Sequence, residues 1–249
     1  MKYDLSAYRS SALEQARSQS LLNLIPTKGN GILDIGARDG YIAKQLVGRF
    51  TRVVALDLEC PNIDDPRVEA VQGNAIDLQF PDNTFDAIVC AEVLEHIPLQ
   101  ILPRVAQEIT RVATSTVVIG VPYKQDLRLA CTTCLSCGQK NPPWGHVNAF
   151  DETDLANLFT GLRVTRTEFV GSTSARTNWL AASLSAYAGN PYGTYTQEEP
   201  CIHCGAKLTA PLKRSMLQRV ATRTAHWANR AQATVSRPKP NWIHMVFEK

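Results

Sequence analysis

Cysteine pairs, two strand-end acids and two histidines are the residues of this sequence whose types and spacing can do chemistry. Cys134-Leu-Ser-Cys137-Gly138 and Cys201-Ile-His-Cys204-Gly205 are both C-x-x-C-G knuckles. Two thiolates three residues apart on a tight turn grip one face of a tetrahedral ion, and a glycine after the second relieves the turn. Two knuckles supply four soft ligands, a closed set that suits structural zinc and leaves no position for a substrate. The 63 residues between them exceed the spacing of a compact zinc ribbon. Cys131 has the spacing to replace Cys137, His203 lies inside the second knuckle, and His146 is a further ligand candidate. The reading taken is Cys134, Cys137, Cys201 and Cys204. Cys60 and Cys90 read as small core residues.

The acids define a ligand. ILDIGARDGYIAKQL (32–46) joins an apolar run to a helical one through a turn bearing Gly36 and Gly40. A dinucleotide site would show G-x-G-x-x-G, but Arg38 and Tyr41 stand where glycines belong, which disfavours NAD and FAD. Asp34 precedes the turn by two residues and suits an ammonium. Asp57 ends the next apolar run, 21 residues after Gly36, close to the spacing at which a carboxylate accepts from two ribose hydroxyls. A ribose acid and an ammonium acid together describe a nucleoside amino acid, S-adenosylmethionine.

Residues 31–121 resemble the class I S-adenosylmethionine-dependent methyltransferases, in particular the type 11 group. The resemblance rests on LDIGARDG (33–40), ALDL (55–58), GNAIDLQFPDNTFDAIVCAEVLEHI (73–97) and the VPY after the fifth strand. It implies that Asn74 contacts the adenine amino group, that the backbone at Ala75 contacts the ring, and that Ala91 and Glu92 line the methionine side. Asp34, Gly36, Ala37, Arg38, Gly40, Asp57 and Leu58 complete the expected cofactor set. The chain departs from the family at Ala37 and Arg38, where small residues, often Cys-Gly or Gly-Gly, are usual.

Methyl transfer from a sulfonium is an in-line displacement, so the enzyme chiefly aligns donor and acceptor and excludes water. An oxygen acceptor must also lose a proton, and histidine is the base available near neutral pH. His96, in LEH, and His146, in WGHVNAF, are the candidates, each also readable as structural. AEVLEH stands where nucleic-acid N-methylases carry [DNS]-P-P-[FYW], and no Pro-Cys nucleophile occurs there. The acceptor expected is an oxygen or nitrogen of a small molecule or glycan, anionic acceptors included. The rivals are RNA or protein methylation and a non-catalytic scaffold.

These residues need a sheet to position them. Short Val/Ile-rich runs at 31–36, 52–58, 68–73, 85–91 and 115–122 alternate with helical patterns at 41–47 and 99–113, after an N-terminal helix over 5–25 that ends at Pro26. Such alternation means a parallel sheet covered on both faces. A helix over 151–159, capped by Asp151, a strand over 161–170 and a final antiparallel strand over 241–249 complete the expectation. The fold class is therefore α/β, a Rossmann-like seven-stranded sheet, mostly parallel with an antiparallel last strand. It forms a single domain over 1–249, with insertions at 122–149 and 171–240 making a zinc-binding, substrate-side subdomain.

Composition is consistent with this. The 249 residues, 44% hydrophobic with 14 Gly and 14 Pro, exclude disorder, collagen and disulfide-rich miniproteins. No run approaches the 18 apolar residues of a membrane span, and the N-terminus lacks the apolar core of a leader, so the expected compartment is the cytoplasm. Net charge +3 conceals an uneven distribution: Lys207 to Lys239 holds eight Lys or Arg and no acid. Within it Leu212, Met216, Leu217, Val220, Thr224, Trp227, Ala231 and Val235 form one helical stripe, with Arg219, Arg223 and Arg230 mostly off it. The segment reads either as a docked amphipathic helix with a solvated cationic face or as a surface for an anionic substrate such as a phosphorylated glycan, a lipid-linked sugar or RNA.

Overall fold

The computed structural model describes residues 9–211 and 213–249. The part of the expected first helix before residue 9, and Leu212 of the basic stripe, lie outside the described residues. The chain divides into two compact units. The first holds the chain up to Tyr123 together with Phe150–Gly171 and Pro240–Lys249, and the second holds Lys124–Ala149 and Ser172–Lys239.

In the first unit, α1 (Ala12–Leu24) starts where the Ser11 hydroxyl accepts the Glu14 N–H and stops before Pro26. There follow β1 (Gly29–Ile35), α2 (Tyr41–Leu46), β2 (Phe50–Asp57), β3 (Val68–Gln72), β4 (Phe85–Ala91), α3 (Leu102–Val112) and β5 (Ala113–Pro122). The unit is completed by α4 (Glu152–Leu158), β6 (Arg163–Val170) and β7 (Trp242–Glu248). The sheet order is β3-β2-β1-β4-β5-β7-β6. Strands β1 to β5 pair in parallel, and β7 runs antiparallel to both β5 and β6.

Strand alternation sorts the core into two layers. Leu33, Ile35, Val54, Leu56, Ile88 and Ile119 face α3 and α4, whereas Ile32, Val53, Ala55, Val89 and Val118 face α1 and α2. Each fully buried Leu, Ile or Phe here contributes about 1.5–3 kcal/mol. Both faces are covered, so the strands read as continuous apolar runs, and this is why the sequence shows them plainly. The α4 start is a capping box: Asp151 accepts from Thr153 and Asp154 N–H, and Asp154 accepts the Asp151 N–H. Cys90 is buried in the core, and burial pushes its thiol well above the ordinary range. Cys60, expected in the core, is exposed in the loop after β2, because the strand ends three residues earlier.

The second unit has little apolar core. Its helices are α5 (Trp179–Tyr187), capped by Asn178, and α6 (Met216–Val235), opened by a Ser215/Gln218 capping box. A two-residue ribbon pairs Thr132–Thr133 with Lys140–Asn141. The buried apolar residues described are Cys131, Cys134, Ala181, Ala188, Cys201, Leu208, Ala221 and Ala225, so Leu208 is the one large aliphatic among them. The apolar stripe expected to seat α6 faces the other way. Ala221, Thr222 and Ala225 are its buried residues, while Met216, Leu217, Val220 and Trp227 are exposed. Small side chains let α6 approach its neighbour closely, and proximity outweighs the larger apolar residues on the opposite side.

No helix among the described residues is long and apolar enough to cross a membrane.

Candidate functional site

Register places the candidate acids together. Asp34 pairs with Ala55 and Ile35 with Leu56 across β1 and β2, and Ile35 with Cys90 across β1 and β4. The carboxyl ends of three adjacent parallel strands therefore end side by side, the position at which open α/β sheets bind ligands.

The turn after β1 is held by backbone bonds. Gly36 and Ala37 N–H donate to Leu56 O at 2.8 and 3.1 Å, and Gly40 N–H donates to Ala37 O at 2.7 Å. Gly36 has φ +76°, and a Cβ on it would stand 2.3 Å from Val93 Cγ2. Arg38 also adopts positive φ, 52°, the conformation that explains why glycine is usual at this place. Its N–H donates to Asp57 Oδ2 at 2.8 Å, and Leu58 N–H donates to Asp57 Oδ1 at 2.7 Å. Each carboxylate oxygen spends one lone pair and keeps another.

Asp34 is buried and lies on the α1/α2 side of the sheet. Its Oδ2 accepts the Ala43 N–H at 3.1 Å, satisfying a free donor in the first turn of α2. Burial, aided by the Asp57 charge and opposed by the Ala43 bond, pushes the carboxyl up to about 7. Asn74 closes an Asx turn by accepting the Ile76 N–H, and Ala75 is buried beside it. Ala91 is half-buried at the end of β4, and Leu58 is exposed.

Glu92 follows with φ 58°, its N–H bonded to Gly120 O. Its carboxylate takes the Trp242 Nε1–H at 3.2 Å and lies 3.7 Å from an Arg17 guanidinium nitrogen. Arg17 and Trp242 come from opposite ends of the chain, and no local pattern signals their meeting. Glu95 has almost no local signal of its role either. It is fully buried, neither carboxylate oxygen has a hydrogen-bond partner, and burial followed by repulsion from Glu92 holds it well above the carboxylate range. The single sequence cue was an acid set between Leu94 and His96 in a short 3-10 turn. Desolvation and then the Arg38 charge keep His96 below its ordinary value.

In the second unit His146 is buried, and its Nδ1 lies 2.6 Å from Gln125 Oε1. The four knuckle cysteines converge there. Cys134 and Cys204 Sγ are 3.7 Å apart, Cys137 and Cys201 Sγ are 3.6 Å apart, and all four lie within 4.8 Å of one another. A tetrahedron of sulfurs at the usual zinc distance has edges of about 3.8 Å. The two turns are built alike. Gly138 N–H donates to Cys134 O and Gly205 N–H to Cys201 O, with both glycines at φ near +72°. Cys131 Sγ instead points to Leu127 O at 3.1 Å, and His203 Nε2 lies 3.1 Å from Lys140 O.

Comparison with known proteins bears on the first unit. Residues 33–119 match the family described as Methyltransferase domain. The first unit has the fold of the class I methyltransferases, and its residues 33–119 are similar to that domain family. The ubiquinone biosynthesis O-methyltransferase of Paracidovorax citrulli is 26% identical over 86 residues, 30% of this chain and 36% of that protein. The chain thus spans about a third of the length of the curated relatives it matches. A putative methyltransferase of Bacillus halodurans superposes with a TM-score of 0.56 at 15% identity, covering 93% of this chain and 98% of that one. A SAM-dependent methyltransferase of Archaeoglobus fulgidus gives 0.55 at 15% identity, covering 98% and 97%. At such identity these structures speak for the fold, which this chain shares.

The residues present fit the methyl donor that such domains use. Asp57 keeps a lone pair on each carboxylate oxygen at the end of β2, beside the backbone of the turn after β1.

Proposed function

We propose that the protein transfers a methyl group from S-adenosylmethionine to an oxygen or nitrogen of a small molecule or glycan. The observation that carries the reading is Asp57, at the end of β2, bonded to the glycine-containing turn after β1 inside the matched stretch 33–119. Asp57 would accept from the ribose hydroxyls. Asn74, the Ala75 backbone and Leu58 would meet the adenine. Asp34, Gly36, Ala37, Arg38, Gly40, Ala91 and Glu92 would surround the methionine part. When bound, the cofactor supplies an electrophilic methyl group on a sulfonium.

The chain's own part is to align the acceptor, exclude water and take its proton. His96 and His146 are the bases proposed, and the depressed basicity of His96 keeps its ring neutral and able to accept at pH 7. The names of the curated relatives support an oxygen acceptor. Cys134, Cys137, Cys201 and Cys204 would hold a structural zinc ion, and the scarcity of large apolar residues in the second unit supports that role, since small cores need staples. The absence of a membrane-spanning helix among the described residues is in keeping with a cytoplasmic enzyme.

The test is transfer of a labelled methyl group to a panel of catechols, phenols, amino sugars and glycans. Product that depends on Asp57 is expected. A protein that binds S-adenosylhomocysteine yet methylates nothing would be a scaffold instead.

A further inference from the structure

The outward face of α6 is apolar and cationic at once. Met216 and Trp227 are 77% and 61% exposed, and Leu217 and Val220 are similarly bare. At 3.6 residues per turn, Met216, Val220 and Trp227 share a strip of about 40°, and Arg219, Arg223 and Arg230 fill the adjoining strip of similar width. The Arg230 guanidinium stands 6.0 Å from the Trp227 ring centroid. Near the helix start, Arg214 lies over the Tyr192 ring at 5.0 Å, with Tyr192 itself exposed. Helix α5 adds exposed Trp179, Leu180 and Tyr187 and buries only Ala181.

Three occupants meet such a face differently. A second copy would set one acid-free cationic segment against another, and like charges oppose that pairing. An RNA would satisfy the arginines but gain nothing from bare Met216, Leu217 and Val220, and α6 offers only the adjoining His226 and Trp227 rings to stack a base. An anionic lipid surface satisfies both halves. Lys and Arg meet phosphate headgroups, tryptophan and tyrosine sit at the headgroup level, and aliphatic side chains enter the acyl boundary.

We propose that α6 of the second unit docks the protein on an anionic phospholipid bilayer, lying in the interface with Met216, Val220 and Trp227 inserted and Arg219, Arg223 and Arg230 on the headgroup phosphates. This docking uses no residue assigned to cofactor or metal, so it stands or falls apart from methyl transfer.

The experiment is co-sedimentation of the full chain with phosphatidylcholine vesicles, with and without phosphatidylglycerol as about one lipid in three. Binding is expected to the anionic vesicles only and to weaken steadily with added salt. The Arg219→Glu/Arg223→Glu/Arg230→Glu variant should lose at least about 100-fold in partition, since each basic residue near the surface is worth about fivefold. Trp227→Ser should weaken binding as well, with S-adenosylhomocysteine binding and metal content unchanged as the check on folding. The blue shift of tryptophan fluorescence on vesicle addition should shrink in Trp227→Phe. No anionic-vesicle binding at low salt, or binding unchanged in the triple variant, would overturn the proposal. So would a dimer in light scattering that Trp227→Ser splits, or a short RNA that displaces the vesicles.

Discussion

The Arg38 N–H donates to the Asp57 carboxylate at 2.8 Å, tying the turn after β1 to the end of β2. One residue stands where the type 11 family often has glycine, and the other is the acid expected on the ribose. The bond uses the backbone of residue 38, which any side chain leaves free to donate, provided the turn keeps its positive φ. Arg38 holds φ 52° and so preserves the turn that its side chain disfavours.

Gly36 should not tolerate a side chain. Its φ is +76° and a Cβ would meet Val93 Cγ2 at 2.3 Å. Gly36→Ala is expected to cost about 1–3 kcal/mol from backbone strain and displacement of Val93. Thermal denaturation should show a midpoint several degrees lower. An unchanged midpoint would mean that the turn is looser than described.

Asp34 makes stability depend on pH. Its carboxyl sits at about 7 in the fold against an ordinary 3.8, so the folded state binds the proton more tightly than the unfolded state. The stabilisation from this group is complete below about 3.8 and is lost as pH rises through about 7. Asp34→Asn cannot ionise and keeps an oxygen to accept the Ala43 N–H. Relative to the natural protein, the variant should gain stability as pH rises from 4 to 8, by an amount on the order of a few kcal/mol. Urea unfolding at pH 5 and pH 8 reads the difference. Parallel pH profiles for the two proteins would contradict it.

The cysteine cluster should hold metal. Protein purified without added metal is expected to carry about one zinc per chain by elemental analysis. Cys134→Ser or Cys204→Ser should remove it and make the second unit, with its sparse core, sensitive to proteolysis. Full metal content in both variants would exclude the four-thiolate site.

The sheet could be read from the sequence because it is buried on both faces, so β1, β2, β4 and β5 appear as unbroken apolar runs. The strand-end acids were legible for the same reason, since Asp34 and Asp57 interrupt or end such runs. The knuckles were legible because C-x-x-C-G is local chemistry. What failed was non-local. Nothing near Glu92 in the chain points to Arg17 or Trp242, and Glu95 took its buried, partnerless environment from tertiary packing. The stripe on α6 was real as a pattern but did not say which side faces the unit. Close approach through Ala221 and Ala225 decided that, leaving Trp227 outside.

The central claim is that Asp57 and the turn after β1 hold a nucleoside amino acid. Isothermal titration with S-adenosylhomocysteine tests it most directly. One molecule should bind per chain, and Asp57→Ala should weaken it about 10- to 100-fold, the worth of hydrogen bonds to a charged group. Absence of binding to the natural protein, or equal binding to the variant, would contradict the account.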